Sequence, residues 1–125
     1  MKINIRFVAF IAASVFSVSA QAQSTCQDFE NAINGETKGI ALIMAEGLGD
    51  NSAPRQTNRN TEINGKFQLI NINLQLQIQN KCPVRKTPIN PMLYIAEALD
   101  CNLARLKDEK NSPACDMMNW NGLKK

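Results

Sequence analysis

The stretch from Glu62 to Cys82, EINGKFQLININLQLQIQNKC, constrains the fold more than any other, because it can be read in two periods and only one of them is self-sufficient. From Ile70 to Gln79 every second residue is apolar, the alternation of a half-buried strand. Over a longer window Ile63, Phe67, Ile70, Leu74 and Ile78 recur at steps of four, three, four and four, which places them on one stripe of a helix. Leu69, Ile72 and Leu76 then form a narrower strip on the opposite side. A strand needs a neighbour for its backbone N–H and C=O groups, and no other segment reads as a convincing strand. Leu and Gln are good helix formers, so propensity points the same way. The stretch is predicted to be helix, and its second apolar strip implies contact with another helix or another subunit.

The N-terminus has the three-part layout of a secretory signal: Lys2 and Arg6, an apolar run from Phe7 to Val18, then Ala20-Gln21-Ala22. The run is shorter than the roughly 20 residues a membrane span needs. No cysteine directly follows the expected cleavage near Ala22, so no lipid anchor is expected and the product should be periplasmic or secreted. Residues 1–22 are read as the signal peptide and 23–125 as one helical, disulfide-bonded domain. Without Lys2 and Arg6 the chain carries 12 basic and 11 acidic residues, a net charge of +1. These charges are interspersed with one another and with amides, not gathered in a basic stripe, which argues against nucleic acid as a partner.

Cysteines occur at 26, 82, 101 and 115, an even number in a chain read as exported, where the compartment favours disulfides. There is no C-x-x-C and no histidine, so the usual dithiol motif and the commonest zinc partner are both missing. Three connectivities are open. If the first two helices form an antiparallel hairpin, Cys26 comes towards Cys82, and Cys101 to Cys115 then pins the tail against the third helix.

Thr25 to Gly49 reads as the first helix, with Ser24 or Thr25 as its cap and an inner face of Phe29, Ala32, Ile33, Ile40, Ile43, Met44 and Leu48. Gly35 and Gly39 interrupt it; a break near Gly35 is expected ahead of the alternative, a close helix crossing. Gly47 to Asn58 reads as a loop, and the second helix as starting near Arg55 or Thr61 and ending about Asn80. CPVRKTPINP, from Cys82 to Pro91, is a proline-rich connection, and Asn90-Pro91 starts the third helix as cap and first residue. On that helix Met92, Ile95, Ala96, Leu99, Leu103 and Leu106 are expected inside. Glu97, Asp100, Arg105, Lys107 and Asp108 are expected outside or at the margin, with Arg105 pairing Glu109. The tail, carrying Cys115 and Trp120, is expected to pack down.

Without histidine, Ser-His-Asp and Cys-His catalysis are excluded, and the most versatile general base is missing. Glu30, Glu36, Glu46, Glu62 and Glu97 are nominal carboxylates for glycoside chemistry, but nothing in their spacing separates them from surface acids. No phosphate-cradling loop, dinucleotide fingerprint, haem-attachment motif or calcium loop is present. No catalytic, cofactor-binding or metal-binding residue is therefore assigned, and no enzyme activity is expected. Arg85 and Lys86 in the proline-rich connection, with Tyr94 and Trp120, are the expected contacts to a partner. The expectation is an all-α bundle of three or four helices stapled by two disulfides. Its expected role is binding another periplasmic protein, as an inhibitor, immunity or accessory subunit, with a homodimer also open. The alternatives are a periplasmic stress chaperone and a small cell-wall hydrolase.

Overall fold

The computed structural model describes residues 2–49, 52–109 and 111–122, with side chains from Thr25 onward. The expected signal peptide, residues 1–22, lies outside the described side chains. The chain is all-α. Helix α1 spans Lys2–Gly49, α2 spans Ala53–Gln79 and α3 spans Ile95–Leu106, the last preceded by a 3-10 turn at Pro91–Tyr94. Two further 3-10 turns, Pro113–Cys115 and Met117–Asn119, make the tail, and no strand occurs among the described residues. The alternating stretch 70–79 is helical, as its longer period requires.

Helix α1 is the central element. Ile33 and Ile40 pack with Ile70 of α2, joined by the half-buried Met44, Ile63, Leu74 and Ile89. Ala41 and Ala45 face the other way, where Tyr94, Ala98, Cys101 and Trp120 close a second cluster. Small residues at 41, 45 and 98 bring the α1 and α3 backbones close, and the two large aromatics fill the space beside them. Thr37, buried on α1, donates its hydroxyl to the Ile33 carbonyl at 2.7 Å and so needs no outside partner.

Cys26 joins Cys82 and Cys101 joins Cys115, with Cα separations of 5.6 and 4.7 Å. The first bond closes the α1/α2 hairpin and the second holds the tail to α3. Both belong to an oxidising compartment.

Several expectations are corrected. Helix α1 does not break near Gly35; it runs on through Gly35 and Gly39. A Cβ on Gly35 would meet open space, whereas one on Gly39 would lie 3.2 Å from the Lys66 side chain and one on Gly47 would lie 3.1 Å from Arg59. These two glycines, two turns apart, admit long cationic side chains from α2, and the burial of Ile33, Thr37, Ile40 and Ala41 offsets their helix cost of about 1 kcal/mol each. Thr25 lies within α1 and does not cap it. The expected loop from Gly47 to Asn58 is far shorter, since α1 reaches Gly49 and α2 starts at Ala53 with Pro54 in its first turn. Leu48, expected inside, is exposed.

On α3 the buried stripe is Glu97, Ala98, Cys101 and Ala104, while Met92, Leu103 and Leu106 are exposed. The disulfide and the small residues fix which side meets α1, leaving the bulkier leucines outside or half-buried. Glu97 stays inside because Oε1 accepts the backbone N–H of Asn121 at 2.9 Å and that of Gly122 at 3.3 Å. Arg105 pairs with Glu46 at 3.2 Å, not with Glu109. The helix has ended by then: Asp108 has φ +57°, and the Glu109 N–H turns back to the Ala104 carbonyl at 3.0 Å.

Candidate contact surfaces

The C-terminus of α2 uses the same reverse turn. Lys81 has φ +52°, and the N–H groups of Lys81 and Cys82 donate to the carbonyls of Ile78 and Gln77 at 3.1 and 2.9 Å. This turn aims Cys82 back at Cys26 and starts an extended segment that reaches Asn90. Three residues tie the segment down: Cys82 through the disulfide, Arg85 through its guanidinium, and Ile89 through the cluster between α1 and α2.

Arg85 is the central tie, with a side chain only 10% exposed. Nη1 donates to Glu30 Oε2 at 2.7 Å, and Nη2 donates to Asn34 Oδ1 at 3.0 Å and to the Thr87 carbonyl at 3.3 Å. Gln77 Nε2 donates to the same Glu30 oxygen at 3.1 Å, so one carboxylate joins α1, α2 and the segment. Arg85 Nε is buried and makes no hydrogen bond among the described residues. With Arg85 turned inward, its neighbours turn outward: Val84 is 93% exposed and Lys86 is also exposed. Pro83 and Pro88 limit the backbone on both sides.

A cavity of about 530 Å³ opens between this segment and the ends of α1 and α2, with Gln27 and Glu30 on one wall and Lys81, Val84 and Lys86 on the other. Ile78, 77% exposed, stands one turn before Cys82. Close to the disulfide end the protein thus presents two unshielded aliphatic side chains and two lysines on a pinned backbone.

A second surface runs along α2. Its inner stripe meets α1, with Ile70 and Gln77 buried. Away from α1, Leu69 and Ile72 are 47% and 52% exposed and Leu76 is half-buried. No residue from Phe67 to Asn80 carries a charge. Among the described residues, no helix is long and apolar enough to cross a membrane.

Of the four expected partner contacts, Lys86 is the one whose side chain reaches solvent. Tyr94 and Trp120 are buried in the α1/α3 cluster, where the Trp120 indole N–H donates to the Ala114 carbonyl at 3.0 Å. Burial, then the nearby Glu97 charge, push the Tyr94 phenol above its usual pKa, and Arg85 opposes them. The Lys38 ammonium sits 5.4 Å from the Tyr94 ring centroid and donates to the Met117 carbonyl at 2.8 Å, which ties the tail to α1. Sequence reasoning missed Val84 and Ile78 as surface features. The order C-P-V-R-K was the available signal, since an extended segment with one side chain turned in must turn its neighbours out.

No protein-family model, curated protein or solved structure matches this chain. Its function is therefore argued from these surfaces alone. Among the described residues, no group of three Cys, Asp or Glu side chains converges in a way that could hold a metal ion. Glu30 is bonded to Arg85 and Gln77, Glu36 to Lys66 at 3.0 Å and Glu46 to Arg105, so these three carboxylates act as structural ties.

Proposed function

We propose that this is an exported protein-binding protein, acting as an inhibitor, immunity or accessory subunit, whose contact element is the segment Cys82–Asn90. The observation that carries the reading is the opposition of Arg85 and Val84: the arginine is locked on Glu30 and Asn34, and the adjacent valine is held out in water. An exposed aliphatic side chain on a freely moving loop loses entropy when it docks. On a segment already fixed by a disulfide, an ion pair and prolines, most of that cost is met in folding, which favours tight association. The matching partner surface is an apolar pocket for Val84 beside an acidic group for Lys86. Residues 1–22 serve as the leader in this reading, cleaved near Ala22, and the two disulfides support an oxidising destination.

Photo-crosslinking residues placed singly at 84, 86 and, as a control on α3, 100 test this in intact cells. Positions 84 and 86 should give the same discrete adduct, which position 100 should not, and Val84→Asp should abolish the adduct formed from position 86. Identical adducts from all three positions, or none from 84 and 86, would remove the segment from the proposal.

A further inference from the structure

We infer that α2 docks antiparallel on α2 of a second copy of this chain, through Gly65, Leu69, Ile72 and Leu76. These residues are spaced four, three and four apart, the spacing of a two-helix seam, and cover about 16 Å of helix. They lie away from the α1 contact, and Leu69 and Ile72 are about half exposed and belong to neither buried cluster of the described residues. Gly65 sits inside the helix with open space where a Cβ would be, so packing within the chain does not call for it.

The order of these four residues points to a second copy in particular. A two-fold axis level with residues 70 and 71 sets Leu69 opposite Ile72 of the partner and Gly65 opposite Leu76 of the partner. Large meets large in the middle, and at each end a glycine leaves room for a leucine. In the same register Glu62 lies level with Gln79 of the partner and the flanking Gln68 and Gln75 are uncharged, while Lys66 is turned to α1 and held on Glu36. The seam therefore brings no like charges together, and amides, which both donate and accept, can bond across it. A parallel pairing in register would set Glu62 on Glu62, so charge favours the antiparallel arrangement. The resulting interface is isologous and closed. It leaves Val84 and Lys86 free, so it stands independently of the segment proposal.

Sedimentation of the oxidised mature chain over a concentration series tests the seam, with Leu69→Lys, Ile72→Glu, the double variant and Gly65→Leu. The wild type should form dimers. Each single charge substitution enters the seam twice and should weaken self-association by about a hundredfold or more, at unchanged helicity. The double variant should recover much of the loss, because each introduced lysine faces an introduced glutamate. Gly65→Leu separates seam from fold: it should raise the melting temperature of the monomer and weaken the dimer. A wild type that stays monomeric to millimolar concentration would overturn the inference. So would a dimer indifferent to Leu69→Lys, a double variant as weak as the singles, or a strip whose substitutions affect only binding to anionic vesicles or to a different protein.

Discussion

Arg85 and Glu30 lie 55 residues apart in sequence and 2.7 Å apart in space, Nη1 to Oε2, at the point where α1, α2 and the extended segment meet. The pair holds Val84 outward, because a guanidinium anchored on one side of an extended backbone fixes the opposite direction for its neighbours. Arg85 is almost wholly buried, whereas Glu30 keeps about a quarter of its side chain exposed, so solvent screens part of the interaction. Removing one partner strands the other. Glu30→Ala should cost about 1–3 kcal/mol by thermal or urea unfolding, and limited proteolysis should then cut within residues 83–88. Arg85→Ala should give the same cleavage pattern; resistance equal to the wild type would show that the disulfide alone holds the segment.

Lys81 occupies a left-handed conformation at φ +52°, where a Cβ is unfavourable. Lys81→Gly should stabilise the protein by up to about 1 kcal/mol by relieving that conformation. Denaturant midpoints of the two proteins measure it.

The Cys26–Cys82 bond closes 56 residues and Cys101–Cys115 closes 14. Chain entropy gives about 4 kcal/mol for the first and about 3 kcal/mol for the second. Serine pairs at 26 and 82 should therefore lower the melting temperature more than serine pairs at 101 and 115. The second variant should in addition shift Trp120 fluorescence to the red at temperatures where α1 and α2 remain helical by circular dichroism.

The Tyr94 phenol has its pKa raised by burial and by Glu97, so the folded state holds this proton to higher pH than the unfolded chain does. Between the ordinary tyrosine value of about 10 and the raised value, the unfolded chain binds fewer protons. The contribution is thus complete below that window and is lost as pH rises through it. The melting temperature should fall above about pH 10, with phenolate absorbance appearing together with unfolding. Tyr94→Phe should flatten this part of the pH profile.

Two glycines should respond oppositely to alanine. Gly35 is exposed and its Cβ would meet nothing, so Gly35→Ala should stabilise α1 by about 0.5–1 kcal/mol. Gly122 has φ +73° and its Cβ would lie 2.8 Å from Tyr94 Cε1. Gly122→Ala should destabilise by at least about 1 kcal/mol and loosen Trp120, read by its fluorescence and by quencher access.

Helix content was legible because local signals carry it, whereas the disulfide pairing was legible only on the condition that α1 and α2 form a hairpin. The stripe from Ile63 to Ile78 outweighs the short alternation at 70–79, and a helical hairpin leaves Cys26 beside Cys82. The contact surfaces were much less legible. Arg85 and Lys86 look alike in the sequence, yet one is locked on Glu30 and the other meets solvent. Glu97 reads as a surface acid because the backbone N–H groups that hold it arrive 24 and 25 residues later. The continuity of α1 through Gly35 was hidden for a related reason: propensity counts the cost of each glycine and is blind to the tertiary burial of Ile33, Thr37, Ile40 and Ala41 around it.

By itself the sequence determined that apolar residues recur at helical spacing, that the cysteines are even in number, and that α2 carries apolar residues on two sides; which cysteines pair was decided by the fold. Periodicity depends on neighbours along the chain, and these are written in the order of residues. Only the tertiary structure decided which arginine is a tie, which valine is presented and which side of α2 stays uncovered. Those outcomes depend on groups that meet across tens of residues, where one ion pair or one glycine under a long side chain selects among arrangements that local preference leaves equal.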